Sequence, residues 1–142
     1  MRKNGWRAAA AVALAASAAS AGDTYNITLE GLNFVYNGQT NTDIDLTINV
    51  GDTVEWTWVS GFHNVSSGFP GDPGAGTLFR SGDPTGTAGT MFSYTFIDPG
   101  VVGFHCEIHE SLGMVSQVTV VPAPAGLALL APLGMIATRR RR

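Results

Sequence analysis

Apolar residues recur at every second position through most of this chain, a rhythm that suits strands and not helices. Residues 52–59 place Val54, Trp56 and Trp58 on one side and Thr53, Glu55 and Thr57 on the other. A strand with this alternation turns one face to a core and the other to water, whereas a helix would scatter the same side chains around its circumference. Residues 24–29, 43–50, 90–97, 101–106 and 114–121 follow the same rule, and turn-forming pairs separate them: Asn37-Gly38, Gly51-Asp52 and Asp98-Pro99-Gly100. The pattern predicts an all-β fold, an antiparallel Greek-key sandwich or barrel of about seven to eight strands. Residues 66–89 are crowded with Gly and Pro and read as a long surface excursion anchored near Leu78 and Phe79. No strong helix candidate interrupts the series.

Both ends of the chain read as addresses. Residues 1–21 combine Arg2, Lys3 and Arg7, an Ala-rich apolar run and the small-residue sequence Ala19-Ser20-Ala21, the three parts of a secretory signal peptide. Residues 122–142 run from Pro122-Ala123-Pro124 through an apolar stretch to Arg139-Arg140-Arg141-Arg142. This tail resembles the PEP-CTERM sorting signals of bacteria, with Ala123 where Glu is usual, and implies removal or membrane anchoring at that end. One domain, residues 22–121, is expected between them, exported to the periplasm or cell surface, with membrane contact only through the tail. Eleven carboxylates and a single guanidinium, Arg80, give that domain a net charge of −10 against −3 for the whole chain. Such a surface excludes nucleic acid as a partner and favours basic docking surfaces.

Cys106 is the only cysteine, so no disulfide can form within the chain. A lone cysteine in an exported protein invites occupation by a metal. It opens the run Cys106-Glu107-Ile108-His109-Glu110-Ser111-Leu112-Gly113-Met114, and His63 lies some forty residues upstream. One thiolate, two imidazoles and one thioether form the donor set of a Cu(I)/Cu(II) couple, with Met114 as the weak axial donor. Thioether is a poor zinc ligand, and a Cys–His hydrolase lacks an evident orienting partner. The expectation is one copper ion held by His63, Cys106, His109 and Met114, with no catalytic residues. The protein would shuttle single electrons or, alternatively, carry or store copper at the envelope.

Wider stretches carry a family resemblance. Gly51-Asp52-Thr53-Val54-Glu55-Trp56, His63-Asn64-Val65, Phe79-Arg80-Ser81-Gly82, Tyr94-Thr95-Phe96, Pro99-Gly100, Phe104-His105-Cys106, His109 and Gly113-Met114 together resemble the plastocyanin-like cupredoxins. The resemblance implies histidine ligation through Nδ1, a supporting backbone N–H from Asn64 to the thiolate, and His109 as the electron exit. It also implies redox-protein partners and, with the composition, a monomer. Two positions depart from the family: His105 stands where Tyr is common, and Ser116 where Gly is usual. Alternation from an inward Cys106 predicts that His105 lies on the surface. Glu107 and Glu110, on either side of His109, are expected to form an acidic rim.

Overall fold

The computed structural model describes residues 22–124; the expected signal peptide and nearly all of the expected tail lie outside them. Nine strands form two sheets among the described residues: β1 (Thr24–Glu30), β2 (Asn33–Tyr36), β3 (Gln39–Thr40), β4 (Thr47–Asn49), β5 (Thr53–Trp58), β6 (Ser66–Ser67), β7 (Met91–Thr95), β8 (Gly100–His105) and β9 (Val115–Val121). The first sheet has the order β3-β2-β1-β5-β7 and the second β4-β9-β8-β6. The all-β fold is as the alternation predicts. Two pairings, β1 with β5 and β4 with β9, are parallel, where antiparallel neighbours were expected throughout. Alternation states which face is buried; it carries no information on the direction of the neighbouring strand.

The core forms where the two inner faces meet. Val54, Trp56 and Trp58 alternate inward from β5 as expected, beside Ile27 and Leu29 of β1. Phe104 of β8 and Val118 and Val120 of β9 oppose them. Aromatic rings dominate the centre: Trp56 meets Phe79 and Phe104 at centroid distances of 5.3 Å, and Phe34 packs edge-on against Phe104 at 4.9 Å. Offset and edge-on contacts of this kind add to the burial energy of the rings.

Local chemistry explains the corners. Asn37 and Gly38 both adopt positive φ (49° and 78°), the requirement of a two-residue hairpin turn, and so close β2 onto β3. The turn was visible in the sequence; the short strands it joins were not.

The excursion is held more tightly than its composition suggests. Ser66 and Ser67 are buried and pair with His105 and Phe104, so this part is an edge strand of the second sheet. Ser67 N–H donates to the Phe79 carbonyl at 3.0 Å, and Phe79 is the buried anchor while Leu78 is exposed. Gly68 N–H donates to Gly103 O at 2.7 Å, and the Phe69 ring lies so close over Gly103 that a Cβ there would sit 2.9 Å from three ring atoms.

That strap corrects the expectation for His105, which is 3 % exposed. Its side chain does point away from the core, but residues 68–69 cover that face of β8. The His105 Nδ1–H donates to Gly68 O at 2.8 Å, and Nε2 lies 3.5 Å from Glu110 Oε2. Alternation gives direction, and a loop folded over the outer face turns an outward residue into a buried one.

Candidate metal centre

One end of the sandwich gathers the donors. β5 ends at Trp58 and leads into the turn that carries His63; β8 ends at His105, immediately before Cys106; β9 begins just after Met114. His105 and Val115 face each other in the β8–β9 pairing, so the loop from Cys106 to Met114 bridges neighbouring strand ends.

Hydrogen bonds shape that loop. Cys106 N–H donates to Met114 O (3.1 Å), His109 N–H to Cys106 O (3.0 Å) and Met114 N–H to His109 O (3.2 Å). A 3-10 turn at Glu110–Leu112 ends on Gly113 at φ 86°, a left-handed conformation that glycine adopts without strain. The Cys106 and Met114 side chains are fully buried, and His109 is partly exposed.

His63 is fixed on every side. Its backbone exchanges two hydrogen bonds with Thr85 (3.0 and 2.8 Å), and Trp58 Nε1–H donates to its carbonyl at 3.0 Å. The ring donates Nε2–H to Ser60 O at 3.0 Å, which leaves the lone pair on Nδ1. Gly61 makes this possible: a Cβ there would stand 2.2 Å from His63 Nε2. Burial pushes the imidazole pKa down, outweighing the opposing Ser60 hydrogen bond, with His109 adding to the decrease. That direction favours the neutral ring, the form that can donate to a metal.

Three of the four expected donors converge directly. Cys106 Sγ lies 3.8 Å from His63 Nδ1 and 3.6 Å from His109 Nδ1, and the two Nδ1 atoms are 3.2 Å apart. A point equidistant from all three lies about 2 Å from each, close to a metal–imidazole bond length. Two imidazole nitrogens and a sulfur aimed at one point fit a cation better than they fit one another. The fourth, Met114, closes the same loop with its thioether buried.

Asn64 supports the site through its side chain. Its Oδ1 accepts from Glu107 N–H at 3.0 Å and its Nδ2–H donates to Glu107 Oε2 at 2.8 Å. Glu107 is not the free acid expected of a rim. Arg80 grips it with Nε–H to Oε1 at 2.7 Å and Nη2–H to Oε2 at 2.8 Å. Hydrogen bonds from Arg80 hold the carboxyl pKa down to about 2, against the smaller opposing effect of burial. Glu110 remains exposed beside His109, with Leu112 at the surface on the same turn. Sequence reasoning did not assign Ser60, Gly61, Trp58 or Arg80 to the site. The motif Phe79-Arg80-Ser81-Gly82 was the signal available for Arg80.

Comparison with known proteins agrees with this geometry. The family described as copper binding proteins, plastocyanin/azurin family, matches residues 24–121. Chloroplastic plastocyanin of Oryza sativa subsp. indica is 35% identical over 117 residues, spanning 79% of this chain and 74% of that protein. A purple cupredoxin from Nitrosopumilus maritimus shares 30% identity and superposes with a TM-score of 0.52, covering 68% of this chain and 99% of its own. Oxidised plastocyanin from Dryopteris crassirhizoma, 24% identical with a TM-score of 0.50 over 68% of this chain and 99% of that one, shows the shared fold.

Proposed function

Since the chain belongs to the plastocyanin/azurin family of copper-binding proteins, we propose that it is an exported carrier of single electrons between redox proteins of the cell envelope. The observation that carries the reading is the convergence of His63 Nδ1, Cys106 Sγ and His109 Nδ1 within 4.8 Å of one another, two of the three side chains buried. When bound, copper supplies a one-electron couple between Cu(I) and Cu(II).

The chain's residues do the rest. Ser60 and Gly61 fix the His63 ring, Trp58 holds its carbonyl, and the loop hydrogen bonds keep Cys106 and His109 in register. Donors held by protein contacts need to move little when the charge they surround changes. Met114, buried at the end of the same loop, would be the fourth donor, and an ion held by all four would offer no open position to a substrate, which supports a carrier and not an enzyme. His109 reaches the surface beside exposed Leu112 and is the natural point of electron entry and exit. Export rests on residues 1–21, and a domain charge of −10 favours basic partners.

One equivalent of Cu(II) added to the purified protein should give an intense blue to purple colour from thiolate-to-copper charge transfer. Cys106→Ser should abolish it. Rapid self-exchange between the oxidised and reduced forms supports the shuttle; slow exchange with ready surrender of copper to a chelator assigns it to carriage or storage. A parent protein that binds copper tightly but stays colourless overturns the site.

A further inference from the structure

Arg80 is the sole lysine or arginine among the described residues, facing eleven carboxylates, and it is committed to one of them. Its guanidinium meets Glu107 with a two-pronged fork, at 2.7 and 2.8 Å, and reaches Asp83 only at 3.6 Å. Glu107 follows Cys106 directly. Asn64, which follows His63 directly, both donates to the Glu107 carboxylate and accepts from the Glu107 backbone. The residues immediately after two of the converging donors are therefore locked together by a reciprocal pair of hydrogen bonds, and the guanidinium closes that lock from a third segment. The third segment is itself tied down: Arg80 forms a β-bridge with Ser66, and Ser81 exchanges two hydrogen bonds with Val65, at 2.8 and 2.9 Å.

We propose that the Arg80–Glu107 pair is a positioning device that sets the separation of the His63 and Cys106 donors. The inference rests on the copper-carrier reading above and extends it to residues that touch no metal. An ion pair with side chains 40 % and 31 % exposed contributes little stability through charge alone. Its geometry is another matter. A planar fork fixes the orientation of the carboxylate, which a flexible ammonium would not. A carboxylate so oriented presents Oε2 to Asn64, and Asn64 in turn holds the Glu107 N–H one residue from the thiolate. Without the guanidinium the carboxylate is free to turn toward water, and the Asn64 clamp loses one of its two bonds. Residues that orient metal ligands in this indirect way commonly change affinity by about 10–100-fold when replaced.

The test uses Arg80→Met, Arg80→Lys, Glu107→Gln and the Arg80→Met/Glu107→Gln double variant in the full chain. In the copper-free proteins, amide exchange at Glu107 should quicken in Arg80→Met, reporting the loosened clamp. With Cu(II) added, Arg80→Met and Glu107→Gln should each weaken binding by about 10–100-fold and alter the charge-transfer band ratio and the copper hyperfine splitting. The double variant should be no worse than either single one, because the two residues act as one unit. Arg80→Lys, charged but unable to fork, should fall between parent and Arg80→Met. Variants that melt earlier but keep the parent's exchange rate, spectrum and affinity overturn the positioning role, as does a double variant whose losses add. Failure of the parent itself to bind copper counts against the electron-carrier reading, while the exchange measurement on copper-free protein still decides whether the clamp exists.

Discussion

Replacing Gly61 with alanine tests how firmly the His63 ring is held. The new Cβ would lie 2.2 Å from His63 Nε2 and 2.9 Å from the Gly31 carbonyl oxygen. Ordinary contacts between such atoms are roughly 3.5 Å, so the ring must retreat by about 1 Å. That displacement breaks the bond from Nε2–H to Ser60 O and moves Nδ1 by a large fraction of a metal–ligand bond length. Gly61 also sits at φ 96°, where a side chain costs about 1–2 kcal/mol. For a domain of this size each kcal/mol lowers the melting temperature by roughly 4–8 °C. Gly38→Ala is the control, since it shares the positive φ of 78° but has open space around its Cβ and lies on the β2–β3 hairpin. Thermal unfolding of the copper-free proteins should show both variants losing stability. Competition with a chelator should show only Gly61→Ala losing copper affinity, by about 10–100-fold. Equal copper affinity in the two variants would refute the argument that the Ser60–Gly61 turn fixes the ring.

Three further outcomes are expected. Met114→Leu should keep the copper and its colour but raise the reduction potential, because losing a weak donor destabilises Cu(II) more than Cu(I), and Met114→Gln should lower it; voltammetry that finds neither shift removes Met114 from the ligand set. Ser116 is buried and its hydroxyl has no partner among the described residues, so Ser116→Ala should stabilise the fold by about 1 kcal/mol in thermal or denaturant unfolding. Glu107 has a folded pKa of about 2 against an ordinary 4.5, so its favourable contribution is complete above the ordinary value and fades as the pH falls through about 2. The stability difference between copper-free parent and Arg80→Met should therefore be largest near neutral pH and vanish in strong acid.

What could be read from the sequence depended on how far each residue's role is fixed by its own chemistry. Cys106, His109 and Met114 announce themselves because few side chains bind copper and all three lie in one short loop. His63 is distant in the chain, yet its type and its place after a strand suffice. The supporting residues offer no such sign. Arg80 meets Glu107 across 27 positions and Asn64 meets it across 43, so their pairing exists only once the chain is folded. Gly61 is one of eighteen glycines, and nothing in its neighbours marks it as the one under a ligand ring. His105 was misplaced and Glu107 overvalued as a free charge for the same reason: each is satisfied by a segment remote in sequence. The strand faces were readable from period two, while the parallel pairings of β1 with β5 and β4 with β9 were not.

Those parallel pairings bear on the order in which the domain can form. Thr47 of β4 pairs with Thr119 of β9, and β8 is flanked by β6 and β9, so the second sheet lacks its central strand until nearly the whole domain is available. Long-range pairings of this kind form late and slowly. Cys106, His109 and Met114 lie on the same final stretch, directly ahead of β9. Ahead of that stretch the chain holds only one of the four donors, His63, and no thiolate. The converging donor set therefore exists only in the finished sandwich.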